Sequence, residues 1–212
     1  CILGSTGTLG VNTLDVATRH PERFEIYALA AGRDGEKLFA QIQQYQPAYA
    51  ALADAHAAMD LRVRCREAGL HTEILYGSEA VAGMACLREV DVVMAAIVGA
   101  AGLVPTLAAV MAGKKILIAN KESLVIAGHL LMPAAQQYHS TLLPIDSEHN
   151  AAFQCLMGIT DYRCGTTPTG VSKLTLTASG GPFRTKPLSE FTHITPAQAV
   201  AHPNWVMGHK IS

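Results

Sequence analysis

The sequence predicts an α/β fold, a parallel sheet covered by helices, followed by the start of a smaller α+β domain. Three observations carry this expectation. Strand-like and helix-like segments alternate from residue 1 to about residue 145. The strand-like segments carry continuous apolar runs, such as 92–96 within the strand 90–96, the pattern of strands buried on both faces. After residue 145 the rhythm gives way to polar, turn-rich sequence with one alternating strand at 173–177, the mark of a sheet with one wet face.

Strands are expected at 1–3, 24–30, 48–52, 72–75, 90–96, 115–119 and 141–145, and helices at 9–19, 35–45, 55–68, 78–87, 104–112 and 123–139. The first helix follows a glycine-rich turn. Asp34 precedes the second helix and suits its N-cap, as Asp54 suits the third and Ser123 the sixth. Pro105 belongs in the first turn of the fifth. A short helix is expected at 151–157, with a loop at 160–172. The domains are therefore placed at 1–145 and 146–212, the second incomplete, since no closing element precedes Ser212.

With 212 residues and a formal net charge of −1, the chain offers no broad field for nucleic acid or an anionic membrane. The uncharged run 92–113 has the length of a membrane span, but Gly99, Gly102 and Pro105 divide it into strand, turn and helix. Five cysteines (Cys1, Cys65, Cys86, Cys155 and Cys164) form no CxxC pair, so neither a disulfide framework nor a zinc knuckle is expected. No targeting segment is visible, and a reducing cytosol is the plain expectation.

The motif Gly4-Ser5-Thr6-Gly7-Thr8-Leu9-Gly10 lies between a strand and a helix. Such a turn lets backbone approach a pyrophosphate and sets the anion at a helix N-terminus, which predicts a Rossmann-type dinucleotide site. A tight strand-to-helix turn without a ligand is the plainer alternative. The second strand ends Gly32-Arg33-Asp34. Arg33 suits a 2′-phosphate and so favours NADPH over NADH.

Two further clusters follow strands at their carboxyl ends. In Asn120-Lys121-Glu122-Ser123, the lysine either neutralises a substrate oxygen or opens a solvated helix. In Asp146-Ser147-Glu148-His149-Asn150, the two carboxylates either converge on Mg²⁺ or Mn²⁺ or cap a helix. Residues 177–183, Thr-Ala-Ser-Gly-Gly-Pro-Phe, form a turn able to present Ser179 and backbone N–H groups to a phosphate. The only tryptophan, Trp205, lies among turn-forming residues and serves as core or as a lid.

Taken together, GSTGTLG at 4–10, VVMAAIVGAAGLVPT at 92–106, ANKESLV at 119–125, PIDSEHNA at 144–151, SGGPF at 179–183 and HPNWVMGHKIS at 202–212 resemble the 1-deoxy-D-xylulose 5-phosphate reductoisomerase family. The resemblance implies a rearrangement and reduction of that sugar phosphate to 2-C-methyl-D-erythritol 4-phosphate in non-mevalonate isoprenoid synthesis. It implies NADPH and a divalent metal (Mn²⁺, Mg²⁺ or Co²⁺), a homodimer, and a bacterial cytoplasm or a plastid. Asp146 and Glu148 match metal ligands, and with Lys121 they form the catalytic set. Lys121, Ser147, Glu148, Ser179 and His202 match substrate contacts, and Trp205 a flap over the substrate. Gly4, Thr6, Gly7, Thr8, Leu9, Gly32, Arg33, Asp34, Asn120, Glu122 and Gly208 match cofactor contacts. The chain departs from the family pattern at Asp34, where asparagine is expected, and ends before the segment expected to supply a third metal carboxylate. A non-catalytic NADP-binding fragment, or another NADP-dependent oxidoreductase, is the alternative.

Overall fold

A computed structural model of the chain describes residues 1–156, 170–177 and 180–203. The chain divides into two compact units, Cys1–Ser172 and Lys173–Ser212.

The first unit is a seven-stranded, wholly parallel sheet. Its strands are β1 (Ile2–Leu3), β2 (Ala28–Ala31), β3 (Tyr49–Leu52), β4 (Glu73–Tyr76), β5 (Val92–Ala95), β6 (Lys115–Ile118) and β7 (Thr141–Pro144). The helices between them are α1 (Thr8–Arg19), α2 (Gly35–Tyr45), α3 (Ala55–Glu67), α4 (Gly77–Ala85), α5 (Leu103–Met111) and α6 (Lys121–Gln137), and α7 (Ser147–Cys155) follows β7. The spatial order is β4-β3-β2-β1-β5-β6-β7. The chain builds outward from β1 to β4, then crosses back and builds outward from β5 to β7. Right-handed crossovers put helices on opposite faces when the direction of growth reverses. That explains the two cores. Leu14 of α1, Leu38 and Ile42 of α2 and Leu61 of α3 pack on Ile2, Leu29, Leu52 and Met94. Met84 of α4, Val110 of α5 and Leu131 of α6 pack on Leu3, Ala30, Val93 and Ile116. Adjacent residues such as Ile2 and Leu3 face opposite cores, so both must be apolar.

All seven expected strands form, several shorter than their apolar runs. The strand expected at 24–30 begins only at Ala28, and the uncharged run 92–113 divides into β5, a 3₁₀ turn at Ala100–Gly102 and α5. Among the described residues no helix is long and apolar enough to cross a membrane. Asp54 caps α3 by accepting from Ala57 N, as expected. Ser123 does not cap α6. Asn120 does, by accepting from Ser123 N at 2.9 Å, so the helix starts two residues earlier than expected. The helix expected at 151–157 likewise begins at Ser147, which puts Ser147 and Glu148 in its first turn.

In the second unit a 3₁₀ turn at Leu188–His193 precedes α8 (Pro196–Ala199), which opens with a capping box between Thr195 and Gln198. The strand expected at 173–177 does not form. Leu174 and Leu176 are 60% and 62% exposed, so the apolar face that alternation predicts has no layer to cover it among the described residues.

Candidate active site

Parallel strands of opposite growth direction part at β1, and the loops leaving their carboxyl ends open a crevice there. The loop after β1 is held from three sides. Gly4 N and Ser5 N both donate to Ala30 O at 2.8 Å. Gly4 has φ +90°, and a Cβ there would meet Ala96 O at 2.8 Å, so only glycine fits against the loop after β5. Gly10 has no room for a Cβ against the backbone of Gly4 and Ser5, which seats α1 directly on the loop. The buried Ser5 Oγ donates to Gln41 Oε1 (2.7 Å), and Gln41 Nε2 donates back to Ser5 O (2.9 Å). No side chain caps α1, whose N-cap is Gly7. Its first-turn N–H groups are left for solvent or an anion.

At the end of β2, Gly32 has open space about it and Arg33 is exposed. Asp34 accepts from Lys37 N at 3.0 Å and caps α2. This acid, next to Arg33, therefore serves the helix N-terminus.

Asn120, only 2% exposed, ties the loop after β5 to α6. Its Nδ2 donates to Ile97 O and, at 3.0 Å, to Gly99 O, while Oδ1 takes the Ser123 backbone N–H and hydroxyl. The amide lies so close over Gly102 that a Cβ there has no space.

One residue on, Lys121 Nζ donates to Asp146 Oδ2 at 2.8 Å. The pairing of Ile118 with Pro144 between β6 and β7 brings the two loops side by side. Asp146 stands at the N-cap of α7 yet makes no capping bond; its side chain, 15% exposed, turns to Lys121 instead. Burial pushes the Asp146 carboxyl up. The hydrogen bonds with Lys121 and Glu148, the Lys121 charge and the nearby His149 outweigh this and hold it below the ordinary carboxylate value. The bond to Asp146 in turn holds the Lys121 ammonium above the ordinary lysine value. Ser147 Oγ donates to Glu148 Oε2 at 3.1 Å. Two hard oxygen ligands on one helix start fit Mg²⁺ or Mn²⁺. No group of three or more His, Cys, Asp or Glu comes together among the described residues.

The first unit thus holds the expected positions from Gly4 to Leu9, 32–34, Asn120, Lys121, Glu122, Asp146, Ser147 and Glu148, all following strand carboxyl ends. His202 is half-buried in the second unit. Ser179, Trp205 and Gly208 lie outside the described residues. Sequence reasoning missed Ser5, Lys37, Gln41 and Gly102. Ser5 sits inside the glycine motif and Lys37 three residues past a capping acid, which are usable signals; Gln41 and Gly102 give none. A cleft of about 540 Å³ lined by Arg62, Arg66 and His71 lies by Glu73 at the start of β4. That is the opposite edge of the sheet, away from this constellation.

The chain is similar to known proteins of one family. A family model described as 1-deoxy-D-xylulose 5-phosphate reductoisomerase matches residues 1–128, and one described as its C-terminal domain matches 142–212. Curated relatives of that name from Dechloromonas aromatica and Cellvibrio japonicus are each 56% identical over the whole chain, which covers 52% and 54% of them. A solved structure of DOX-P reductoisomerase with NADPH, fosmidomycin and magnesium is 44% identical with a TM-score of 0.87, over 99% of this chain and 52% of that one. The Zymomonas mobilis enzyme with NADPH is 41% identical with a TM-score of 0.84, over 95% and 51%. The chain spans about half the length of the curated relatives it matches.

Proposed function

The chain belongs to the 1-deoxy-D-xylulose 5-phosphate reductoisomerase family, and we propose that the protein carrying it converts that sugar phosphate to 2-C-methyl-D-erythritol 4-phosphate with NADPH and a divalent cation. The observation that carries this reading is the Lys121–Asp146 pair beside Glu148, set at the same sheet edge as an uncapped glycine loop. Neighbours of this fold are described with NADPH and with magnesium, which supports both partners.

In this reading the first-turn N–H groups of α1 bind the pyrophosphate, and Arg33 grips the 2′-phosphate. The Asn120 side chain is fully engaged in the fold, so its cofactor contact falls to its main chain. Asp146 and Glu148 would hold the cation, which when bound would supply Lewis acidity at the hydroxy-ketone oxygens. A cation held there would draw on the carboxylate that accepts from Lys121. Lys121, whose Nζ reaches the Asp146 carboxylate, is placed to donate to a substrate oxygen that gains charge. Ser147, Ser179 and His202 complete the substrate contacts, Glu122 and Gly208 the cofactor contacts, and Trp205 closes over the substrate. Residues from 146 onward begin the catalytic domain.

The reading extends to a homodimer in a bacterial cytoplasm that accepts Mn²⁺ as well as Mg²⁺. The bacterial sources of the relatives support the compartment, and the all-oxygen donor set supports the metals. Asp146→Asn tests the site: Mn²⁺ binding and metal-dependent turnover are lost while NADPH affinity is unchanged. Surviving turnover removes the metal assignment.

A further inference from the structure

The glycine loop has a cation on it that the site as described does not use. Lys37 is the third residue of α2, and its Nζ donates to Thr6 O at 2.6 Å. Its stem therefore spans from the turn after β2 to the loop after β1. Those are the two elements between which the adenosine end of the cofactor is read.

We infer that Lys37 is a second cation for the 2′-phosphate of NADPH, sharing it with Arg33 and setting the preference for the phosphorylated cofactor. The inference rests on the NADPH reading given above. A 2′-phosphate is close to doubly charged at neutral pH, and one exposed guanidinium balances only part of that charge. The pyrophosphate already has the uncapped N–H groups of α1, whereas Lys37 rises from the β2 side, four residues after Arg33. The acids around it are engaged elsewhere. Asp34 caps α2 through Lys37 N, and Glu36 takes both guanidinium nitrogens of Arg64, one of them at 2.9 Å. Arg64 is itself fixed over the Phe39 ring at 4.3 Å. Neither Arg33 nor Lys37 forms an ion pair among the described residues, so their charge is available to a ligand. The bond to a neutral carbonyl aims the ammonium without cancelling it.

The test is calorimetric titration of the chain with 2′,5′-ADP and with 5′-AMP, probes that differ only by the 2′-phosphate. Lys37 is exposed, so Lys37→Met keeps the fold, checked by its melting temperature. It weakens 2′,5′-ADP binding about ten- to a hundred-fold, the loss of one charged hydrogen bond, and leaves 5′-AMP binding unchanged. Lys37→Gln keeps a donor for Thr6 O without the charge and loses the preference equally. Equal weakening of both probes, or rescue by Lys37→Gln, makes Lys37 a loop anchor and overturns the inference. Unchanged binding of both overturns it as well. If the wild-type chain does not prefer 2′,5′-ADP, the NADPH reading itself fails and the role of Lys37 falls with it. A wild-type preference that survives Lys37→Met overturns the Lys37 role alone.

Discussion

At position 146 two roles compete for one carboxylate. Sequence leaves it open to cap α7 or to ligate a cation, with the cap slightly favoured, because both roles want an acid just before a helix. The structure separates them: the capping bond is not made, and the oxygen faces Lys121. That partner is invisible to local reading, since 25 residues and a strand pairing lie between the two. Because the Asp146 carboxyl is held low, the pair contributes stability above the ordinary carboxylate pKa and loses it as pH falls through the lowered value. At the alkaline end it is lost as pH rises through the raised value of Lys121. With Lys121 44% exposed, solvent screening keeps the whole effect to about 1 kcal/mol or less. Lys121→Met therefore raises the Asp146 pKa, as followed by carboxyl NMR, with little change in melting temperature. An unmoved Asp146 titration would show that Lys121 is not what holds it.

Among the elements, the helix starts show why some features were legible and others were not. Asp34 and Asp54 were readable because a capping acid three residues ahead of its N–H partner is a purely local arrangement. Asn120 was misjudged in favour of Ser123 because its value comes from a distant loop, whose carbonyls at Ile97 and Gly99 it also satisfies. Asn120→Ala removes a cap and leaves the half-buried Ile97 carbonyl without its donor, a cost of about 1–3 kcal/mol that a denaturation curve reads directly. Gly102→Ala drives a methyl into the Asn120 amide and destabilises the same junction. The strand expected at 173–177 failed for the opposite reason. Alternation records which face wants burial, but a strand also needs a neighbour's backbone, and none pairs with it among the described residues.

For the molecule as a whole, the reversal of strand order at β1 gathers the loops after β1 and β5. The β6–β7 pairing sets Lys121 against Asp146 at the same carboxyl edge. Sequence rhythm gave the parallel sheet; it could not give the spatial order, which depends on the crossover through α4 that returns the chain to the sheet's middle. The most direct test of the account is NADPH consumption with 1-deoxy-D-xylulose 5-phosphate, in a protein extending this chain to the length of its relatives. The account predicts turnover that requires Mg²⁺ or Mn²⁺, stops on chelation, and yields 2-C-methyl-D-erythritol 4-phosphate. Turnover that persists without metal, or no turnover with metal and both substrates present, would contradict it.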